Sequence, residues 1–151
     1  MKLLIDASAL LNIVKLGGAG ALEYLKGSYV LTLTPYEVGN GLWKEAVLLN
    51  RISAEEAVAL LGYISHVYRV MRFLEPRSWV DVLKLAHELK ITYYDSAYVV
   101  ASAENGLPLV TDDEKLAEVV ERDKDVVKKL LGRDVQCLSS ADVLSQPPDS
   151  G

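Results

Sequence analysis

Short apolar runs alternate along this chain with segments of helical periodicity, and that alternation leaves few folds open. Leu3–Leu4–Ile5 reads as a buried strand, as do Tyr29–Leu33, Leu107–Val110 and Val135–Leu138. Between them lie helical stretches. Ala7–Leu16 carries Leu10, Leu11 and Val14 at helical spacing and stops at Gly17–Gly18; a second piece, Ala19–Lys26, stops at Gly27. Thr34–Pro35 opens a helix that extends to about Asn50, with a cap residue ahead of proline. Ser53 and Glu56 form a capping-box signature for the next, to about His66. Residues 67–73 fit either a strand or a linker. Arg77–Lys90 reads as a helix with Val80, Leu83, Ala86 and Leu89 along one stripe. Further helices are expected from Tyr94–Asp95 to Asn105, over Asp112–Glu121 and over Lys124–Leu131. Strands separated by helices imply an α/β fold, a three-layer α/β/α sandwich around a central parallel sheet.

The chain has 151 residues, half of them hydrophobic and a quarter charged, which suits one globular domain with a real core. Residues 1–140 are expected to form it. Residues 141–151, with Pro147–Pro148 and few core-forming side chains, are expected to be a disordered tail. The lone Cys137 cannot close an internal disulfide, and with two histidines a Cys/His zinc site lacks ligands. A metal here would need carboxylate oxygens, which favours Mg²⁺ or Mn²⁺. A net charge of −5 argues against a protein that coats nucleic acid through charge alone. Asp6, Asn12 and Lys15 interrupt the N-terminal apolar stretch, against a signal peptide, and no apolar run is long enough to span a bilayer. A cytoplasmic location is expected.

Four acids share one kind of position. Asp6 ends the first strand, Glu37 lies in the first turn of the helix after the second, Asp95 opens a helix, and Asp113 follows the strand Leu107–Val110. All belong to the carboxyl edge of the sheet, where α/β folds bind ligands. Each also has a local explanation. Thr34–Glu37 is a capping-box pattern, Asp95 can cap its helix, and Asp112 suits the next cap better than Asp113, which the helix dipole also favours. Asp6 is the hardest to explain locally, because an acid ending a buried strand is costly unless something binds it. Four clustered carboxylates repel unless one protonates or a cation joins them. A divalent ion held there can acidify a water and stabilise charge on a phosphoryl oxygen, the chemistry of phosphodiester hydrolysis. Ser8 and Thr111 place hydroxyls beside Asp6 and Asp113, and Asn40 lies one helical turn beyond Glu37.

Leu4–Ile5–Asp6–Ala7–Ser8, Tyr36–Glu37–Val38–Gly39–Asn40, Tyr94–Asp95–Ser96–Ala97–Tyr98 and Leu109–Val110–Thr111–Asp112–Asp113 occur in an order that resembles the PIN-domain family, within it the prokaryotic VapC-type toxins. The similarity spans roughly residues 2–140. The resemblance implies a PIN-like fold and an acidic pocket of Asp6, Glu37, Asp95 and Asp113 holding Mg²⁺ or Mn²⁺. It also implies cleavage of single-stranded or looped RNA, a homodimer, and a VapB-like antitoxin that blocks the active-site groove. Asp113 is preferred to Asp112 because the family's strand-end pattern is Thr-x-Asp, although Asp112 could share the metal. Gly17–Gly20 departs from the family's usual early helical hairpin.

Lys15, Lys44, Arg51, Arg69 and Arg72 are candidates to meet an RNA backbone, with a solvated helix face the commoner role for such residues. Tyr36, Trp43 and Tyr98 could stack on bases, but core or interface positions suit them better. Haloacid-type phosphatases need an acid where Ser8 stands, and adhesion-type metal sites a hydroxyl where Leu10 stands. The alternatives that survive are a catalytically inactive PIN-fold module that binds RNA or protein, and a dedicated protein-interaction module indifferent to metal.

Overall fold

Alternation within the short strands sorts the chain into layers. The computed structural model describes residues 1–150. Its strands are β1 (Leu4–Ile5), β2 (Tyr29–Leu31), β3 (Arg72–Leu74), β4 (Leu109–Val110) and β5 (Cys137–Leu138), all parallel, in the order β3-β2-β1-β4-β5. Leu4 is in register with Tyr29 and Leu109, and Ile5 with Val110. Ile5, Val30 and Val110 point to one face of the sheet, and Leu4, Leu31 and Leu109 to the other. The segment 67–73 resolves into a 3₁₀ turn, Tyr68–Val70, leading into β3.

On the first face lie α1 (Ala7–Gly17), α2 (Ala21–Leu25), α3 (Thr34–Trp43) and α4 (Ala54–Val67). The second face is covered by α5 (Trp79–Leu89), α6 (Tyr93–Asn105), α7 (Glu114–Arg122) and α8 (Lys124–Leu131). This is the three-layer α/β/α sandwich expected. Beyond residue 140, where a tail was expected, the chain first forms a helix, α9 (Ser140–Leu144), whose Val143 and Leu144 pack on the first core. Residues 145–150 add no helix or strand.

Other differences from expectation have local causes. Between α1 and α2 the glycines Gly18–Gly20 make a 3₁₀ turn, which shortens the second helical piece. The helix from Thr34 stays α-helical only to Trp43; Lys44–Leu48 widen into a π-turn, with Leu49 N–H donating to the Lys44 carbonyl at 2.9 Å. On α5 the buried side chains are Val82, Leu85, Ala86 and Leu89, while Val80 and Leu83 are each 63% exposed. Of the expected stripe Ala86 and Leu89 are buried, while Val80 and Leu83 form an apolar face of α5 that points outward. Among the described residues no helix is long and apolar enough to cross a membrane.

Candidate active site

A cavity of about 410 Å³ opens at the carboxyl edge of β1, between the segments that follow β2 and β4. Sheet order reverses at β1, since the chain passes from it to β2 on one side and reaches β4 on the other. Such switch points part neighbouring loops and leave a crevice. Asp6, Glu37, Asp95 and Asp113 all line it, together with Ser8 and Asn40. Gly41 lets α3 approach α1 at this wall, because a Cβ there would lie 3.2 Å from Leu11 Cδ1.

Each acid reaches the cavity by a different route. Asp6 is buried, 6% exposed, and caps α1: its Oδ1 accepts from Ala9 N–H at 2.9 Å and from Ser8 Oγ at 2.7 Å. Ser8 in turn accepts from Asp112 N–H at 3.1 Å, which ties Asp6 to the loop after β4. Asp95 does not cap its helix. Thr92 does so, its Oγ1 accepting from Asp95 N–H at 3.1 Å, and Asp95 is left in the first turn. Glu37 is not half of a capping box either. The residue ahead of α3 is Leu33, which makes no side-chain cap, and the Thr34 hydroxyl turns into the core. There it accepts from Leu31 N–H at 3.0 Å and lies 2.7 Å from Tyr98 Oη, which donates to Glu37 Oε1 at 2.7 Å.

The tandem Asp112–Asp113 divides opposite to the local expectation. Asp113 caps α7, its Oδ1 accepting from Leu116 N–H at 3.1 Å, and also lines the cavity. Asp112 does not line it. Its Oδ1 accepts from Ser140 N–H at 2.7 Å and its Oδ2 from Asn12 Nδ2, so it pins the start of α9 to α1. Thr111 is buried, and its Oγ1 accepts from Asp113 N–H at 3.1 Å.

The acids interact with one another. Burial is the main cause that raises the pKa of Asp6, Glu37 and Asp95 above their ordinary values. Negative neighbours push the same way: Asp95 acts on Asp6, Asp6 and Asp95 act on Glu37, and Asp113 acts on Asp95. Hydrogen bonds resist this, from Ala9, Thr111 and Ser8 to Asp6, from Tyr98 to Glu37 and from Thr92 to Asp95. The donor set fits a hard divalent cation in kind, being anionic oxygen throughout and short of positive charge. Among the described residues no three His, Cys, Asp or Glu side chains already form a coordination cluster. The cavity thus gathers carboxylates without a preset metal cage.

Tyr98 is a residue that sequence reasoning preferred at a core or interface position over base stacking, with no role toward the acids. Its ring is in the core, 1% exposed, but its hydroxyl reaches Glu37. The available signal was its position three residues after Asp95, which puts both on one side of α6. Tyr36 and Trp43 are exposed rather than buried. Of the candidate cations, Lys44 lines the cavity, Lys15 pairs with Glu45 at 2.7 Å, and Arg72 lies over the Tyr29 ring.

Comparison with known proteins gives a consistent picture, although no family model matches the chain. It is 37% identical over 87 residues to Exonuclease VapC9 of Pyrobaculum aerophilum, covering 58% of this chain and 62% of that protein, less than two thirds of its length. Ribonuclease VapC3 of the same organism is 32% identical over 127 residues, covering 78% of this chain and 94% of the relative. Ribonuclease VapC1 of Mycobacterium tuberculosis is 32% identical over 119 residues, covering 75% and 86%. The crystal structure of PAE2754 from Pyrobaculum aerophilum superimposes with a TM-score of 0.66 at 30% identity, covering 88% of this chain and 91% of that one. With the sheet order, the acid-lined crevice and relatives matched over most of their length, the chain belongs to the VapC family of PIN-domain proteins.

Proposed function

We propose that this protein is a metal-dependent endoribonuclease that hydrolyses phosphodiester bonds in single-stranded or looped RNA, and that it is the toxin of a VapBC-type pair acting in the cytoplasm. The observation that carries this reading is the meeting of Asp6, Glu37, Asp95 and Asp113, from four separate segments, in one cavity. These carboxylates would hold Mg²⁺ or Mn²⁺, which when bound supplies Lewis acidity toward the phosphoryl group and the attacking water. Asp6 and Asp113 are held by hydrogen bonds at their own helix starts, and Glu37 and Asp95 reach the cavity from α3 and α6. The test is turnover of a mixed RNA pool by protein freed of partners, with Mg²⁺ or Mn²⁺ against EDTA. A circular RNA separates internal cutting from trimming at ends, a distinction raised by the relative named as an exonuclease. Metal-independent RNA binding without turnover would instead support an inactive PIN-fold binding module.

Lys44 would help admit the RNA. It is the cation that lines the cavity, and it is exposed, whereas Lys15 is engaged by Glu45. Glu37 and Gly41 fall on one side of α3, and Lys44 follows at its end, seven positions beyond Glu37, about 10 Å of helix. A phosphate beside the scissile one can meet Lys44 while the carboxylates engage the reacting group. Lys44→Ala is expected to raise KM several-fold with kcat nearly unchanged, and to lower the salt dependence of binding by about 0.7 in log–log slope, the loss of one single-strand phosphate contact. An unaltered slope sinks this placement.

Partners follow the same reading. A VapB-like antitoxin would close the groove, and exposed Trp43, Val47, Leu48 and Leu49, which continue α3 past the cavity wall, offer it apolar surface. A homodimer is proposed through the outward face of α5, where Trp79, Val80 and Leu83 are 50%, 63% and 63% exposed. Leu83→Glu is expected to convert a dimer to monomer in sedimentation experiments; a dimer that persists moves the interface elsewhere.

A further inference from the structure

We propose that Tyr98, itself set by Thr34, is the positioning residue for Glu37. This inference rests on the metal-nuclease reading and adds to it how one wall of the site is held. Three hydrogen bonds run in sequence from the backbone of β2 to the cavity. Leu31 N–H donates to Thr34 Oγ1 at 3.0 Å, Thr34 Oγ1 lies 2.7 Å from Tyr98 Oη, and Tyr98 Oη lies 2.7 Å from Glu37 Oε1. Each hydroxyl has one hydrogen to give. An ionised Glu37 can only accept, so the Tyr98 hydrogen goes to it. Tyr98 then accepts from Thr34, whose oxygen is already an acceptor for Leu31. The direction of the whole relay is set by its two ends, a backbone donor and a carboxylate acceptor.

The relay is placed where a polar group is least expected. Thr34 is fully buried and Tyr98 is 1% exposed. Valine and phenylalanine would fill the same space without burying hydroxyls that must find partners. Glu37 is also a cavity acid that no backbone N–H holds. Asp6 and Asp113 accept backbone N–H bonds from their own helix starts. Glu37 has a longer and more mobile side chain, and among the described residues Tyr98 alone bonds its carboxylate. The bond to Oε1 fixes the carboxylate's orientation and leaves its other lone pairs free.

Residues that hold a metal-binding side chain from behind typically change metal affinity or activity about 10–100-fold when removed. Tyr98→Phe deletes one oxygen and keeps the ring. It is expected to weaken Mn²⁺ binding, followed by loss of the free-ion electron paramagnetic resonance signal, by about tenfold or more. RNA turnover should lose kcat in the same range, with KM for RNA little changed, while the thermal midpoint falls modestly because the buried Thr34 hydroxyl loses its acceptor. Thr34→Ser, which keeps the hydroxyl, should match wild type. In a Glu37→Gln background, adding Tyr98→Phe should cost little further Mn²⁺ affinity, because the group being positioned is already altered. A purely structural role would lower the midpoint but leave Mn²⁺ affinity unchanged or give additive losses in the double variant. If wild type binds Mn²⁺ and cuts RNA and Tyr98→Phe does both equally well, the inference is overturned alone. If wild type does neither, the metal-nuclease reading falls and takes the inference with it.

Discussion

Asp6→Asn is expected to abolish RNA turnover while making the metal-free protein harder to unfold. Asparagine keeps an Oδ1 acceptor for Ala9 N–H and Ser8 Oγ, so the start of α1 is preserved. What it removes is a charge that is buried and repelled by Asp95. If the proposed metal is held by these acids, the loss of transition-state stabilisation is about 4 kcal/mol, or roughly a thousandfold in rate. The two effects have opposite signs because the site concentrates negative charge for function at a cost to the fold. Rate assays on RNA and a melting curve with EDTA present check both. A variant that keeps its activity removes Asp6 from the site, and one that melts well below wild type shows that its charge serves the fold.

A divalent cation is expected to stabilise the wild-type protein strongly and to change how its stability depends on pH. The pKa values of Asp6, Glu37 and Asp95 are raised above 3.8, 4.5 and 3.8, chiefly by burial. The folded metal-free protein therefore binds protons at these sites more tightly than the unfolded chain does. Stability from these groups is fully present below their unfolded values and is lost as pH rises through the folded ones. This is the reverse of an acid held by a salt bridge. Melting with EDTA should show their contribution falling from pH near 4 upward, and the fall should shrink in Asp6→Asn. Mg²⁺ or Mn²⁺ at a hundred times its dissociation constant would add about 2.7 kcal/mol at neutral pH. For a chain of this size that is on the order of 5–10 °C in the melting midpoint. No shift with either ion, at concentrations up to millimolar, would count against a metal site in this cavity.

The sandwich was legible because its signals are local. Strand-forming runs such as Tyr29–Leu31, stops such as Gly27 and Gly106, and caps such as Ser53 each act within a few residues. Alternating them commits the chain to parallel strands with helices on both faces. The same logic put Asp6, Glu37 and Asp113 on one edge of the sheet, since a strand end and the following helix start share that edge in a βα unit; Asp95 opens α6 after α5 and not after a strand, so helix packing brings it there.

Local signals misled where a residue had two roles to choose from. Thr34 matches a cap by type, yet the hydrogen bond it makes is to Leu31 N–H and Tyr98, because β2 and α6 lie within reach of its hydroxyl. Asp112 and Asp113 are chemically identical, and only the packing of α1 and α9 against the loop after β4 decides between them. Asn12 and the Ser140 N–H capture Asp112, leaving Asp113 for the cap and the cavity. Half of the stripe on α5 went astray, because Val80 and Leu83 have the spacing of a core face but stay 63% exposed, while Ala86 and Leu89 are buried. Periodicity and capping chemistry, which act along the chain, determined the layers and the edge where the acids gather. The partner of each side chain, and so the relay from Leu31 to Glu37, was decided only when distant segments met, since a hydrogen bond between residues sixty positions apart has no signature in either neighbourhood.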